Sequence, residues 1–120
     1  MIPREELENL IILHNESREN RDSLIEDESL MDYAQKWADY MADTTRLKHS
    51  RIKNIMALGF NAAGENIAYG QEDAEQVMKT WLKSPGHRSN ILNSSYNRIG
   101  CGVSLANNGT PYWCVCFGKK

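Results

Sequence analysis

No run in this sequence approaches the ~18 consecutive apolar residues that a membrane-spanning helix needs, so no transmembrane segment is expected. Excess positive charge is missing too. The net charge is −2, and the one basic stretch, Arg46 to Lys53, has no aromatics among its charges, which leaves nucleic-acid binding without support. That stretch reads as a solvated loop. Cysteine is scarce and odd in number: three residues allow at most one internal disulfide and leave one thiol over. The opening MIPREELENL carries acids and no apolar core flanked by basic residues, so no signal peptide is expected in this chain. Hydrophobic residues at 41% and charged residues at 25% are ordinary for a soluble globular protein. A chain of 120 residues can close one core, burying about two thirds of its unfolded surface. One domain over 1–120 is therefore expected, and no second.

Helical periodicity is the strongest local signal. Leu7, Leu10 and Ile11 fall on one face of a helix from Glu5 to about Glu19, with acids in its first turn where the helix dipole favours them. His14 and Arg18 extend that inward stripe and read as structural, since a lone His on an apolar face is more often a satisfied core residue than a ligand. Ser23-Leu24-Ile25 suits an edge strand. Asp27 caps a second helix whose Leu30, Tyr33, Ala34, Trp37, Ala38 and Met41 keep the i, i+3, i+4 pattern to about Asp43. From Thr44 to Gly70 the pattern dissolves into a long loop, apart from one or two turns between Ile52 and Leu58. A third helix runs from about Glu72 to Lys83. Pro85 ends it, so Ser84 closes one helix and caps the next. Trp37, Trp81 and Trp113 each lie on the apolar side of their element and are expected to be buried.

RIGCGVSLANNGTPYWCVCFG reads as two β runs around Asn108-Gly109, a strong hairpin signal. A two-residue turn there pairs Asn107 with Thr110, Leu105 with Tyr112 and Cys101 with Cys116. In that register all three cysteines share one face with Ile99 and Val103. A Cys101–Cys116 disulfide, a three-thiolate metal site and buried free thiols are then the alternatives. The free thiols are preferred, because Cys-x-Cys alone is a weak zinc signal and bridges directly across a strand pair are awkward. Both faces of the hairpin are apolar and need cover on both sides, which the amphipathic helices supply. The expected fold is α+β, a three-layer α-β-α sandwich around a small antiparallel sheet.

Long loops in compact domains are usually functional, and the loop before Gly70 carries His49, in LKHS, and Glu65, behind Gly64. His87 follows the Ser-Pro-Gly break in the first turn of a helix, where the positive dipole end disfavours its charged form. Two imidazoles and a carboxylate make a divalent-metal ligand set, most naturally for zinc.

The motifs LIILHNESR, YAQKWADYMA, LKHS, GENIA, WLKSPGHRSNIL and IGCGVSL follow one another from about Leu7 to Gly118. In this order they resemble the CAP superfamily of cysteine-rich secretory proteins, antigen 5 and plant pathogenesis-related 1 proteins, also called SCP-like, in its bacterial branch. The resemblance implies secretion, an α-β-α fold and a polar cleft of two His and two Glu. His49, Glu65 and His87 fall on three of those positions; Ser84, three residues after Trp81, stands where the second Glu is usual. A hydroxyl is a hydrogen-bond partner rather than a strong base, so metal-assisted hydrolysis lacks a group to activate water. A serine nucleophile, Ser84 or Ser50, lacks an orienting acid other than Glu65. The reading is a secreted domain that binds a divalent metal or small ligand at His49, Glu65, Ser84 and His87 without turnover. A metal-dependent, peptidase-like hydrolase is the alternative, and the partner, whether small ligand, lipid or protein, is open.

Overall fold

The computed structural model describes residues 2–120. Its elements run α1 (Glu5–Ser17), β1 (Ile25–Glu26), α2 (Glu28–Thr44), α3 (Ile52–Met56), β2 (Ala62–Tyr69), α4 (Ala74–Leu82), α5 (Pro85–Leu92), β3 (Arg98–Leu105) and β4 (Pro111–Lys119). The helix signals held locally. The Asp27 carboxylate accepts from the Leu30 N–H at 3.0 Å and starts α2, and Asp73 does the same for α4 through the Gln76 N–H at 2.9 Å. No helix among the described residues is long and apolar enough to cross a membrane.

The sheet order is β1-β3-β4-β2. β3 and β4 pair antiparallel, as expected; β2 joins β4 antiparallel as well, and the two-residue β1 adds a parallel pair beside β3. Helices cover both faces, giving the α-β-α sandwich. On one side α1, α4 and α5 bury Leu10, Val77, Trp81 and Ile91 against Ile99, Val115 and Phe117. On the other, α2 and α3 bury Leu30, Ala34, Met41 and Ile55 against Ile67, Cys114 and Cys116.

Two expectations change at the sheet. The segment read as loop contains β2, paired with β4 along its whole length from Ala62↔Lys119 to Tyr69↔Tyr112. Ala62, Ala63 and Gly64 are too small to show a period-2 pattern, and the partner that makes them a strand lies about 50 residues downstream. Glu65 is thus a strand residue.

The hairpin register is the second correction. Leu105 pairs with Pro111 and Cys101 with Val115, one residue off the expected pairing. The Ala106 N–H donates to the Thr110 carbonyl at 2.9 Å, and the Gly109 N–H to the Ala106 carbonyl at 2.8 Å. The loop is therefore Asn107-Asn108-Gly109, a turn closed by Gly109 at φ +86°, the three-residue form rather than the two-residue one. A one-residue slip moves side chains to the other face. Cys101 lies with Val115 beneath α1, whereas Cys114 and Cys116 face α2. That separation excludes the Cys101–Cys116 disulfide and the three-thiolate site; all three thiols are free and buried.

Of the three tryptophans, Trp81 and Trp113 are fully buried. Trp37 is only half-buried: it stacks on Tyr40 with ring centroids 4.8 Å apart, and its Nε1 donates to the Lys48 carbonyl at 2.7 Å, pinning the loop after α2.

His14 is wholly buried, with Nδ1 2.7 Å from the Leu10 carbonyl, between the rings of Trp81 and Phe117. Its Nε2 has no hydrogen-bond partner. Burial lowers its pKa to about 4, the Leu10 carbonyl opposing this and the Arg18 charge adding to it. The unfolded chain, with an ordinary value of about 6.5, takes up the proton first as pH falls. The His14 contribution is therefore complete above about pH 6.5 and is lost as pH drops toward 4, in all about 3 kcal/mol. Urea unfolding at about pH 7 and pH 5 is expected to show this slope in the wild type and its loss in His14→Phe. Equal slopes would place His14 in contact with solvent.

Candidate functional site

Strand alternation sends neighbouring residues of β2 to opposite faces. Glu65 stands opposite Cys116 and Ile67 opposite Cys114, on the α2 side with the core cluster of Ile67, Cys114 and Cys116. Asn66 faces α5, where its Nδ2 donates to the His87 carbonyl at 3.0 Å and its Oδ1 accepts from Asn90 Nδ2 at 2.9 Å. Asn66 is completely buried, so these bonds fasten α5 to the sheet edge and fix where His87 stands.

The Glu65 carboxylate is fully buried. Oε1 accepts from His49 Nδ1 at 2.8 Å and from the Ser50 N–H at 2.9 Å, and Oε2 accepts from the Ser50 hydroxyl. Such bonds are what allow a carboxylate to be buried. They also settle the His49 tautomer. A carboxylate only accepts, so Nδ1 carries the proton, and Nε2 is left as a lone-pair donor on a side chain 59% exposed.

His87 arrives from α5. Pro85 takes the first helical position and Ser84 the cap position, as the sequence indicates. The Ser84 hydroxyl, however, makes no bond to the helix backbone; it pairs with His87 Nδ1 at 2.9 Å. Burial, and next the nearby His49 ring, hold His87 below the usual imidazole range, which keeps the ring neutral and able to bind a metal. The Trp81 ring lies 6.4 Å from it, centroid to centroid.

A groove of about 350 Å³ is lined by His49, Ser50, Glu65, Asn90 and Tyr96 among others. His87 lies three residues before Asn90 and so shares its helix face. The structure thus bonds His49 to Glu65 and Ser84 to His87, and sets the second pair beside the first. Among the described residues, the group of three potential metal ligands with donor atoms within 4.8 Å of one another is a different one: Glu65, Cys114 and Cys116.

Reading from sequence missed Asn66, Asn90 and this carboxylate–thiol cluster. The two asparagines sit inside the GENIA and RSNIL motifs. For Asn66 the signal is a polar residue on the inward side of a small-residue strand, which shows only once β2 is known to be a strand; Asn90 lies on α5 and bonds to it.

A family model, the cysteine-rich secretory protein family CAP, matches residues 12–117. The protein YkwD of Bacillus subtilis is 41% identical over 64 residues, 53% of this chain and 24% of that one. The match thus spans a quarter or less of the length of the curated relatives. Among solved structures, an outer surface protein of Borrelia burgdorferi superposes with a TM-score of 0.90 at 23% identity, over 100% of this chain and 96% of that one. An extracellular protein containing an SCP domain, from Bacillus anthracis, gives 0.81 at 27% identity, over 97% of this chain and 41% of the other.

Proposed function

The chain belongs to the cysteine-rich secretory protein family, CAP, and we propose on that footing that it is a secreted domain that binds a divalent metal ion or a small ligand through His49 and His87. The observation that carries this reading is the 2.8 Å bond from His49 Nδ1 to the wholly buried Glu65 carboxylate, the orienting partner that metal-binding imidazoles commonly have. His87 is held by Ser84 in the same manner. The two rings would hold the ion, zinc by ligand type, with Glu65 positioning His49. Bound there, the ion supplies a Lewis-acid centre for a carboxylate, phosphate or carbonyl of the ligand.

Binding is favoured over a metal-dependent hydrolase by how the polar groups are occupied. Glu65 is engaged by the His49 ring and by Ser50 twice, and Ser84 is bonded to His87. Neither stands free as a base for water. Secretion is part of the same reading, supported by the extracellular SCP-domain relative.

Calorimetric titration of the metal-free protein with zinc near neutral pH tests it. One equivalent is expected to disappear in the His49→Ala, His87→Ala double variant and to bind roughly 10 to 100-fold more weakly in Glu65→Gln. Affinity should fall on acidification, as protons take the ring nitrogens. The same stoichiometry in the double variant as in the wild type would sink the imidazole site.

A further inference from the structure

Against Oε2 of Glu65, the oxygen not bonded to His49, lies a second set of metal-binding atoms. Cys114 and Cys116 are two residues apart on β4, so the pleat presents both on the α2 face, and the register puts Glu65 directly across from Cys116. The two Sγ atoms are 3.8 Å apart, and Cys114 Sγ is 3.9 Å from Glu65 Oε2. All three residues are buried, with their ligand atoms within 4.8 Å of one another. We propose that Cys114, Cys116 and Glu65 form a thiophilic metal site, for zinc or an ion of similar softness, distinct from the imidazole pair although both use Glu65.

The spacing is that of a bound ion. Two thiolates each about 2.3 Å from a tetrahedral zinc stand about 3.8 Å apart, so the sulfurs need no rearrangement. A disulfide is the less natural product: residues two apart on a strand have Cα atoms separated by about 6.6 Å, near the upper end of what a disulfide spans.

Charge is conserved as well. Burial, with Cys116 and Glu65 as neighbours, pushes the Cys114 thiol up. Loading one divalent ion and releasing both thiol protons to solvent leaves the net charge of this buried cluster unchanged, so the desolvation cost of an added charge does not arise. Glu65 is suited to such a site because its oxygens are divided. Oε1 is held by His49 and the Ser50 N–H, whereas Oε2 faces Cys114. Oε2 also accepts from the Ser50 hydroxyl. Of the three ligands, Glu65 lines the groove.

Cobalt(II) titration of the reduced, metal-free full chain, followed by absorption, separates the two sites, because only thiolate ligands give an intense near-ultraviolet charge-transfer band. A band saturating at one equivalent is expected, bleached by zinc, retained in Cys101→Ala and in His49→Ala, His87→Ala, and lost in Cys114→Ala, Cys116→Ala. Cys114→Ser alone, which can keep a bond to Glu65, should weaken affinity at least 10-fold. Two released protons make affinity fall about 100-fold per pH unit on acidification. Absence of the band in the wild type overturns the site, as does its persistence without Cys114 and Cys116 or its loss in Cys101→Ala. Loss of His-dependent zinc binding with the band intact would instead refute the imidazole reading alone.

Discussion

Gly100→Ala is expected to lower the unfolding free energy by about 3 kcal/mol or more, and Gly102→Ala by a similar amount. Helix α2 lies on β3 backbone against backbone. A Cβ on Gly100 would sit 2.1 Å from the Leu30 carbonyl carbon and 2.3 Å from the Met31 nitrogen; one on Gly102 would sit 2.4 Å from the Gln35 Cα. The obstacle is main chain, which has no rotamer to change, so the helix must lift. Lifting exposes Leu30, Ala34 and Ala38, all completely buried. It also breaks the clasp in which Gln35 gives an N–H to the Val103 carbonyl at 2.8 Å and accepts the Val103 N–H at 3.3 Å. Ordinarily alanine in place of glycine would stabilise a strand by stiffening the unfolded chain; here the clash outweighs that gain severalfold. Urea unfolding of each variant decides it. A loss below about 1 kcal/mol would mean that the helix has room to move.

Arg18→Met should cost about 3 to 5 kcal/mol, and Arg18→Lys most of that. The guanidinium is fully buried and has no carboxylate partner. It donates instead to four main-chain carbonyls: Asp22 at 3.0 Å, Ile91 at 2.9 Å, Asn93 at 3.1 Å and Tyr96 at 3.2 Å. Two of these, Ile91 and Asn93, end α5, where the helix leaves carbonyls unpaired and the dipole favours a cation. Methionine fills the space but leaves the Asp22, Ile91 and Tyr96 carbonyls without their donor, while Asn93 keeps only its bond from the Tyr96 N–H. An ammonium group cannot imitate the planar fork that reaches them together. Because α5 carries His87 at its other end, the damage extends to the groove: zinc affinity of the folded fraction should fall about tenfold. Full stability with unchanged zinc binding would show that the clamp is dispensable.

How much of this was legible beforehand differs by element. The helices were, because each carries its own period and stop signals: Asp27 ahead of α2, and Ser84-Pro85 between α4 and α5. Three layers followed from a hairpin apolar on both faces. His49, Glu65 and His87 stood out as residue types with little structural reason to be where they are. What stayed hidden was decided by partners distant in sequence. β2 is a strand because β4 hydrogen-bonds it, and no property of Ala62-Ala63-Gly64 announces that. The turn at Asn107 to Gly109 admitted two loop lengths, and the choice between them moved Cys101 away from its two companions. The glycines of IGCGV looked like mere members of a strand face until α2 was seen pressed against them. Arg18 was read as structural, yet its four carbonyl acceptors lie in segments that the sequence did not bring together.

The order of strands governs when the groove can exist. β4 is the last strand in the chain and lies between β3 and β2, and Glu65 takes its place through its pairing with Cys116. On a ribosome, His49, Glu65 and His87 are all synthesised before the strand that aligns them. Until residues 111–119 emerge, β2 has no neighbour on either side, and the nascent chain carries His49, Glu65 and His87 without the groove. Closing that long-range pairing is an entropically expensive step and a slow one. The groove is therefore completed in one step, when β4 enters between β3 and β2 after both have been made.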